Sequence, residues 1–303
     1  MLNILIIGVG GFIGRNAFQY FSRHNYSVIG CDVIKNIYLN DPRYIYLGET
    51  QSDFEPLFIE NNFDVCINAS GSAHVGFSFE DPAKDFELNV LNVNKILVAI
   101  RKHAPKCRFI NFSSAAVYGN PTQLPIAEDI TLKPLSPYGF HKLQSEHLLT
   151  EYHKFFGLHT CNLRVFSAFG PELKKQLFWD LYQKTKIPGP IELFGTGEES
   201  RDFIYIEDLL QVVELVIKNA KFEGDVINVA SGHETTIREA ATLFYNEFNS
   251  EIQFSFSGKV KVGDPNNWCA DIKKLREIGF VARYSLANGL KKYVTWLKEN
   301  ALD

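Results

Sequence analysis

The stretch Ile4-Leu5-Ile6-Ile7-Gly8-Val9-Gly10-Gly11-Phe12-Ile13-Gly14 decides how this chain folds. The aliphatic run at its start is typical of a fully buried parallel strand. Glycines follow at positions 8, 11 and 14, and the next residues, Asn16–Phe21, place apolar side chains at helical spacing. A strand, a glycine-rich turn and a helix in this order predict the first unit of an open parallel sheet.

The same turn has the composition of a dinucleotide site. Gly8, Gly11 and Gly14 let the backbone turn tightly and approach a pyrophosphate, which the amide groups and dipole of the helix N-terminus then hold. A second apolar stretch ends at Asp32, 18 residues after Gly14. A carboxylate there can accept hydrogen bonds from an adenosine ribose and would repel a 2′-phosphate. The order of these features predicts dinucleotide binding, and the alternative is a glycine-rich turn without a ligand.

Strand-like apolar runs recur through the first half of the chain, with helical stretches between them. The runs are Ile4–Ile7, Ser27–Cys31, Val65–Ala69, Arg108–Phe112 and Thr160–Val165, and helices are predicted over Asn89–His103 and Tyr138–Phe156. This alternation predicts an α/β fold with a Rossmann-type, doubly wound parallel sheet. Glycines and prolines interrupt the pattern after about residue 166. We expect an NAD-binding domain over 1–166 and a smaller, interleaved substrate lobe over 167–303, with a return strand near 226–230.

Composition limits the possible partners. Hydrophobic residues make up 46% and charged residues 22% of the 303 residues, as in ordinary globular enzymes. A net charge of −4 gives no reason to expect nucleic acid or an anionic membrane as a partner. The first apolar run is too short for a signal peptide, and no segment is long enough to span a bilayer. The five cysteines are odd in number and widely spread, which favours buried thiols in a reducing compartment. We therefore expect a cytoplasmic protein, and no metal site is predicted.

Tyr138 and Lys142 stand four residues apart in the run Tyr138-Gly139-Phe140-His141-Lys142 and share one face of a predicted helix. An ammonium group beside a phenol stabilises the phenolate, so we expect the pKa of Tyr138 to fall from about 10 toward the working pH. Such a tyrosine can exchange a proton with an alcohol or a ketone. Most Tyr-x-x-x-Lys pairs form only a helix surface, and His141 is expected to be an exposed helix residue.

Five segments together resemble the extended short-chain dehydrogenase/reductase family, in its nucleotide-sugar epimerase and dehydratase branch. They are Gly8–Gly14, Asn111–Gly119, Ser136–Lys142, Leu163–Phe166 and Arg201–Asp208. The resemblance covers nearly the whole chain. It implies NAD as cofactor, with NADP possible because Arg15 follows the third glycine, and a nucleotide-diphosphate sugar as substrate. It also implies a homodimer that pairs through the two predicted helices named above.

The resemblance assigns roles to individual residues. Ser114 would hydrogen-bond the reacting sugar oxygen, Tyr138 would be the acid/base, and Lys142 would bind the nicotinamide ribose. The other implied cofactor-binding residues are Gly8, Gly11, Phe12, Ile13, Gly14, Asp32, Glu49, Ala69, Ser70, Gly71 and Asn89. The implied substrate-binding residues are Ser114, Ser167, Phe194, Arg201, Lys261 and Trp268, with Arg201 gripping the diphosphate and Phe194 lining a nucleobase slot.

Several of these residues also have plain structural interpretations. Ser114 could cap a turn at a strand end. Arg201 could form a surface ion pair with Asp202 or Glu207. Asn89 could be an ordinary helix residue.

Ala115 and Ala116 decide between the reactions of this family. Its sugar 4,6-dehydratases carry an Asp-Glu pair at these positions, and without those carboxylates dehydration is disfavoured. The leading hypothesis is an NAD-dependent nucleotide-sugar 4-epimerase of the UDP-hexose type, which acts through a transient 4-keto sugar. The alternative is an NAD(P)H-dependent nucleotide 4-keto-6-deoxy sugar reductase, which the short chain and Ser167 favour. A non-catalytic NAD sensor would not need the serine, tyrosine and lysine.

Overall fold

A computed structural model describes residues 1–35, 37–38, 40–48, 53–259 and 265–300. Its strands are β1 (Asn3–Ile7), β2 (Ser27–Asp32), β3 (Tyr44–Tyr46), β4 (Val65–Asn68), β5 (Arg108–Ser114), β6 (Thr160–Val165), β7 (Ser167–Phe169), β8 (Ile191–Leu193), β9 (Ser200–Tyr205), β10 (Glu223–Val229), β11 (Glu234–Thr236) and β12 (Phe254–Phe256). Its helices are α1 (Phe12–Arg23), α2 (Glu55–Glu60), α3 (Val75–Glu80), α4 (Pro82–Phe86), α5 (Asn92–His103), α6 (Pro137–Phe156), α7 (Gln176–Thr185), α8 (Ile206–Asn219), α9 (Ile237–Asn249), α10 (Lys273–Glu277) and α11 (Leu286–Asn300). A π-helical turn, Glu87–Leu91, precedes α5, and a 3-10 turn, Ala115–Val117, follows β5.

The chain forms two compact units. The first consists of Met1–Gly119, Thr131–Val165 and Val213–Ile227. The second consists of Asn120–Ile130, Phe166–Val212 and the chain from Asn228 onward.

A seven-stranded sheet with the order β10-β6-β5-β4-β1-β2-β3 dominates the first unit. The neighbouring strands from β6 to β3 are all parallel. The strand order reverses between β1 and β4, and parallel α/β sheets bind ligands at the carboxyl ends of the strands beside such a reversal. The predicted α/β fold with a doubly wound parallel sheet is confirmed.

Helix α1 follows from the spacing of its buried residues. Gly14, Ala17, Phe18 and Phe21 recur at the three- and four-residue spacing that puts them on one face, and that face is buried. Burying each phenylalanine contributes about 1.5–3 kcal/mol. Helices α2, α5 and α6 add their apolar faces to one core cluster with the sheet; its members include Leu5, Cys66, Phe109, Phe58, Ile96, Ile100 and Leu149.

Helix α6 has clear start and stop signals. The Ser136 hydroxyl accepts a hydrogen bond from the Gly139 amide at 3.2 Å, and Pro137 occupies the first turn. Gly157 ends the helix in the left-handed conformation, with φ of 68°. The observed helix therefore starts one residue before the predicted one.

The helix predicted over Asn89–His103 differs from the structure at its start. Residues Glu87–Leu91 form a π-helical turn, and the α-helix proper begins at Asn92. A π turn widens the helix by one residue and changes the direction of the side chains before it, and such turns are frequent at functional sites.

The second unit contains two small sheets, with the orders β11-β9-β7 and β12-β8. Aromatic rings fill its core: Phe178 packs against Phe169, Phe203, Phe244 and Tyr293. The segment 120–130 joins this unit through a bridge between Ile126 and Ala270. Within the part of the chain that the structure describes, no helix combines the length and apolar content needed to cross a membrane.

Candidate active site

The glycine turn brings the start of α1 close to two strand ends. Gly8 has φ of +92°, and a Cβ there would lie 2.6 Å from the Ser70 amide nitrogen. A Cβ on Gly14 would collide with the Gly8 carbonyl oxygen. Gly11 caps α1 with its backbone, and no side chain caps the helix through a hydrogen bond. Phe12 and Ile13, both half-buried, form the first turn, so the amide groups there are arranged to hold an anion.

Asp32 is fixed at the carboxyl end of β2. Its Oδ2 accepts a hydrogen bond from the Gly10 amide at 2.8 Å, and its Oδ1 accepts from the amides of Val33 and Ile34 at 2.7 and 3.2 Å. The carboxylate thus ties the glycine turn to β2 and retains lone pairs for further donors. Arg15 donates to the Gly10 carbonyl at 3.4 Å, which places this guanidinium at the same turn.

The loop after β4 carries three of the predicted cofactor residues. Ala69 donates to the Ile7 carbonyl at 2.9 Å, and the Ser70 hydroxyl donates to Asn68 Oδ1 at 2.6 Å. Gly71 has φ of +100°, and a Cβ there would lie 2.5 Å from Asn89 Oδ1. The Asn89 residue is 1% exposed, and neither polar atom of its amide has a hydrogen-bond partner within the described chain. An unsatisfied buried amide is costly, so a ligand that bonds to it fits this position.

The structure brings Ser114, Tyr138 and Lys142 together at the end of β5 and the start of α6. The Tyr138 phenol and the Ser114 hydroxyl are hydrogen-bonded. The Ser114 hydroxyl also accepts from the Ala116 amide at 3.1 Å, so the turn-capping interpretation holds alongside the contact with Tyr138. Lys142 Nζ lies 5.9 Å from the centre of the Tyr138 ring and donates to the Phe112 carbonyl at 3.0 Å.

The acidity of Tyr138 differs from the expectation. Burial raises the pKa of the Tyr138 phenol to about 12; the hydrogen bond with Ser114 lowers that pKa, and the charge of Asp85 raises it. The expected fall toward the working pH is not found in the protein alone. Burial is the largest of these effects, and it outweighs the hydrogen bond with Ser114.

Asp85 and His141 form a pair that the sequence did not indicate. His141 Nδ1 lies 2.6 Å from Asp85 Oδ2, and the two side chains are 12% and 0% exposed. The expectation that His141 is an exposed helix residue is wrong, because α4 packs over this end of α6. The available signal was the histidine inside the Tyr-x-x-x-Lys segment, but its partner comes from a separate helix.

A buried ion pair supports the strand that carries Ser114. Glu146 on α6 accepts from Ser113 at 2.5 Å and from two nitrogens of Arg164 on β6. Arg164 also donates to the Tyr118 hydroxyl at 2.9 Å. These contacts fix β5, β6 and α6 to one another directly behind the Ser114–Tyr138 hydrogen bond.

A row of three asparagines crosses three neighbouring strands of the large sheet. Asn68, Asn111 and Asn162 are paired in register on β4, β5 and β6. Asn68 donates to Asn111 at 2.9 Å, and Asn111 donates to Asn162 at 3.2 Å and to the Ser145 hydroxyl at 3.4 Å. Ser145 in turn donates to the Lys142 carbonyl at 2.7 Å. The signal in the sequence was one asparagine inside each of three apolar strands.

In the second unit, two backbone carbonyls and an aromatic ring hold the side chain of Arg201 in place. Its Nη1 donates to the carbonyls of Ser200 and Asn266 at 2.7 and 3.2 Å, and its guanidinium lies 5.6 Å from the centre of the Trp268 ring. Trp268 also packs edge-on against Phe166. The Asp202 carboxylate accepts hydrogen bonds from Ser231, and the Glu207 carboxylate accepts from the Tyr284 hydroxyl and pairs with Lys292.

The structure also locates two other predicted substrate residues. Phe194 is an exposed ring after β8, and Ser167 is half-buried at the start of β7. Glu49 and Lys261 lie outside the residues that the structure describes.

Comparisons with known proteins agree with this arrangement. The sequence profile of the NAD dependent epimerase/dehydratase family matches residues 4–230. The chain is 27% identical to a putative UDP-glucose 4-epimerase of Methanocaldococcus jannaschii, over 98% of this chain and 99% of that protein. It is 25% identical to a UDP-glucuronate 4-epimerase of Thermodesulfobacterium geofontis, over 98% and 96% of the two chains.

A solved structure extends the likeness to the fold. The UDP-glucuronic acid 4-epimerase of Bacillus cereus, in complex with UDP-glucuronic acid and NAD, matches with a TM-score of 0.88 at 26% identity. The match covers 98% of this chain and 99% of that chain. The predicted family and the predicted NAD dependence are both confirmed. The chain belongs to the NAD dependent epimerase/dehydratase family.

Proposed function

We propose that this protein is an NAD-dependent UDP-sugar 4-epimerase. The observation that carries the proposal is the hydrogen bond between the Tyr138 phenol and the Ser114 hydroxyl, with Lys142 beside the tyrosine ring. This geometry suits removal of a proton from a sugar hydroxyl. The similarity to a putative UDP-glucose 4-epimerase and to a UDP-glucuronate 4-epimerase supports this reaction class.

We propose that residues of the first unit hold NAD at the carboxyl ends of the parallel strands. The proposed set is Gly8, Gly11, Phe12, Ile13, Gly14, Asp32, Ala69, Ser70, Gly71, Asn89, Tyr138 and Lys142. Its fit rests on the uncapped helix terminus at Gly11, the carboxylate at the end of β2 and the unsatisfied amide of Asn89. Asp32 favours NAD over NADP because its charge opposes a 2′-phosphate.

Each catalytic side chain then has a distinct task. Tyr138 takes the proton from the C4 hydroxyl and returns it to the same oxygen after the sugar has turned. Ser114 hydrogen-bonds that oxygen and keeps it within reach of the phenol. Lys142 supplies the positive charge that stabilises the phenolate. NAD held by this site would supply a reversible hydride acceptor for the sugar C4, which would allow a 4-keto sugar to form without net oxidation.

For the second unit we propose that Arg201 binds the diphosphate of the nucleotide sugar. A guanidinium bonds phosphate oxygens in pairs, and two backbone carbonyls and the Trp268 ring already fix its orientation. Phe194 would stack on the base, while Ser167 and Trp268 would contact the sugar. The roles assigned to Glu49 near the adenine and Lys261 near the phosphates stay predictions.

The 3-10 turn after Ser114 supports epimerisation over dehydration. Ala115 is fully buried, and Ala116 donates its amide to the Ser114 hydroxyl. Neither residue offers a carboxylate for the removal of water.

We also propose a homodimer that pairs through α5 and α6. The π turn before α5 exposes Leu91 at 43%, and α6 exposes Phe140 at 53%. Single exposed apolar side chains are ordinary on protein surfaces, so the family resemblance, which pairs these two helices, carries this proposal. Analytical sedimentation at micromolar concentration should show a dimer. A reducing compartment, and hence the cytoplasm, agrees with the five cysteines, all of which are reduced thiols.

One experiment separates the epimerase from the reductase. The protein is purified without added cofactor, denatured, and its supernatant assayed for nicotinamide nucleotide, while native protein is incubated with UDP-glucose or UDP-glucuronic acid. Near-stoichiometric NAD together with formation of the C4 epimer, followed by proton NMR, supports the proposal. A protein without nucleotide that consumes NADPH with a 4-keto sugar would overturn it in favour of the reductase.

A further inference from the structure

The asparagine row (Asn68, Asn111 and Asn162) is a buried polar feature to which the proposed reaction gives no task. The three residues are 3%, 1% and 0% exposed, and the next strand carries Ile7 at the same level. Asn162 Nδ2 has no hydrogen-bond partner among the residues that the structure describes. Apolar side chains would fill this layer without leaving a buried donor unsatisfied. Packing alone therefore does not account for amides at these positions.

Helix α6 fixes the direction of the Asn111 amide. The Ser145 hydroxyl uses its single proton to donate to the Lys142 carbonyl at 2.7 Å. Its oxygen is thus left as an acceptor for Asn111 Nδ2 at 3.4 Å, and Asn162 Oδ1 accepts from the same nitrogen at 3.2 Å. Asn111 therefore points its nitrogen toward α6 and β6 and its oxygen toward β4.

The loop after β4 fixes the Asn68 amide from the other end of the network. The Ser70 backbone amide can only donate, and it lies 3.2 Å from Asn68 Oδ1, which also accepts from the Ser70 hydroxyl at 2.6 Å. Asn68 must then turn Nδ2 away from the loop, where it donates to Asn111 Oδ1 at 2.9 Å. The backbone groups at both ends thus demand the same direction of donation, from the loop to α6. Hydrogen bonds aligned in one direction polarise and strengthen one another.

The loop held in this way lies directly beside the glycine turn. The Ser70 amide nitrogen would be 2.6 Å from a Cβ on Gly8, and the Ala69 carbonyl oxygen would be 3.9 Å from a Cβ on Gly11. With the Asn68 amide reversed, Nδ2 would face the Ser70 N–H, and two donors cannot bond to each other. The position of the loop beside the turn therefore depends on which way the Asn68 amide is turned.

We propose that Asn111 is a positioning residue for the cofactor loop Ala69–Gly71. Held by α6, it keeps the Asn68 oxygen on Ser70 and so maintains the loop conformation that receives NAD. This inference rests on the NAD-binding set proposed above and is independent of the sugar reaction. It couples the helix that carries the proposed catalytic tyrosine and lysine to the cofactor loop across the sheet.

The test is a double-mutant cycle read as the rate of NAD release. Protein loaded with NAD is mixed with an excess of radiolabelled NAD, and the exchange of bound nucleotide is followed. Asn111→Leu keeps the size of the side chain and removes the acceptor that orients Asn68. Fewer molecules then hold the loop in its binding conformation, so release should become about tenfold faster.

The second arm of the cycle removes Asn68 itself. Asn68→Ala should speed NAD release by a similar factor, and the double variant Asn68→Ala/Asn111→Leu should show no further increase, because Asn111 acts through Asn68. Wild-type release from a folded Asn111→Leu, or effects that multiply in the double variant, overturns the proposal.

Thr160→Val is the matched control for a loss of stability alone. Thr160 is fully buried on β6, and its hydroxyl donates to the Leu149 carbonyl of α6 at 3.2 Å. The variant breaks a buried hydrogen bond between the same helix and the same sheet, outside the asparagine row. It should lower the free energy of unfolding, measured by urea titration, and leave NAD release unchanged. If release instead followed the loss of stability in both Thr160→Val and Asn111→Leu, the role of Asn111 would be merely structural and the proposal would fail.

A measurement on the wild type covers the case in which Asn111→Leu does not fold. The Ser70 backbone amide and the Asn68 side-chain amide should both exchange slowly with deuterium in the loaded protein, as followed by NMR, because each donates within the network. Exchange of either group at the rate of an open loop contradicts the proposal.

The outcome for the loop is separable from the outcome for the reaction. None of these measurements uses a sugar, so a protein that shows the cycle but forms no C4 epimer would refute the proposed function and leave the positioning role standing. If Gly11→Ala speeds NAD release while Asn111→Leu does not, the cofactor site stands and the role of Asn111 is wrong.

Discussion

Glu146 and Arg164 face each other across α6 and β6 as a bidentate ion pair, with nitrogen–oxygen distances of 2.9 and 2.7 Å. Both side chains are 4% exposed. Two charges buried together are stable only while both remain. Because Glu146 also holds Ser113, the pair links the packing of α6 to the position of the neighbouring Ser114.

Arg164→Met should destabilise the protein by about 3–5 kcal/mol, because it leaves the Glu146 carboxylate buried without a partner. The free energy of unfolding is measured by urea titration followed by circular dichroism. The matched control is Glu146→Gln/Arg164→Met, which removes both charges and should recover much of the loss. Equal stability of the single and double variants would contradict the charge-pairing account.

Tyr138→Phe should lower the turnover number by about 10²–10⁴, because it removes the group that exchanges the proton. The rate of C4 epimer formation is followed by NMR, and NAD content is measured on the same preparation. The NAD content should stay close to that of the wild type, since the ring remains in place. A variant that keeps more than about a tenth of its turnover would remove Tyr138 from the mechanism.

Gly11→Ala should weaken NAD binding without unfolding the protein. Gly11 has φ of −78°, and an added Cβ would meet the Gly8 carbonyl at 3.4 Å, which is ordinary contact. The methyl group would instead occupy the space that a pyrophosphate needs at the start of α1. Gly14→Ala is the contrasting variant, since its Cβ collides with the Gly8 backbone and should lower the melting temperature.

NAD retained after purification and the melting temperature are measured for both variants. If Gly11→Ala retained NAD at the wild-type level, the assignment of the pyrophosphate to this turn would be wrong.

Asp202 should make the stability of the second unit depend on pH. Burial raises the pKa of the Asp202 carboxyl to about 6, although Ala270, Ser231 and Gly232 donate hydrogen bonds that lower it. The folded state therefore binds more protons than the unfolded state between about pH 4 and pH 6. The contribution of this carboxyl to stability is present below that window and is lost as the pH rises through it.

Urea unfolding at several pH values tests this dependence against Asp202→Asn, which cannot titrate. The stability difference between the wild type and the variant should fall by about 2–3 kcal/mol from pH 4 to pH 7. A difference that is constant or that grows with pH would show that the carboxyl is ionised throughout.

The large sheet could be predicted from the sequence because its strands are buried on both faces. Such strands are continuous apolar runs, and the predicted Thr160–Val165 is the observed β6. Strand β3 was missed because it has three residues, all half-buried. The π turn before α5 was missed because π and α turns share one apolar spacing. The place of residues 120–130 depends on a pairing between Ile126 and Ala270, 144 positions apart, that no local pattern records.

The three proposed catalytic residues could be predicted from sequence motifs, whereas the residues around them could not. Ser114, Tyr138 and Lys142 sit in segments whose residue types state their chemistry. Asp85 carries no such signal, since an acid in a helix is usually solvated. Only the packing of α4 over α6 buries it beside the histidine. Burial also sets the pKa of Tyr138, and burial depends on tertiary contacts that no sequence motif states.

Alkylation of the four buried cysteines of the first unit would report the opening of its strands. Cys31, Cys66, Cys107 and Cys161 lie on or beside its strands, and burial raises the pKa of Cys31 and Cys66 well above the ordinary range. A buried thiol of this kind does not react with iodoacetamide, so each labelling event records that the strand carrying the thiol has opened. Cys269 is half-buried in the second unit, so its labelling would report separately on that region. The order in which the sulfurs become carboxamidomethylated would thus give the sequence in which the strands come apart.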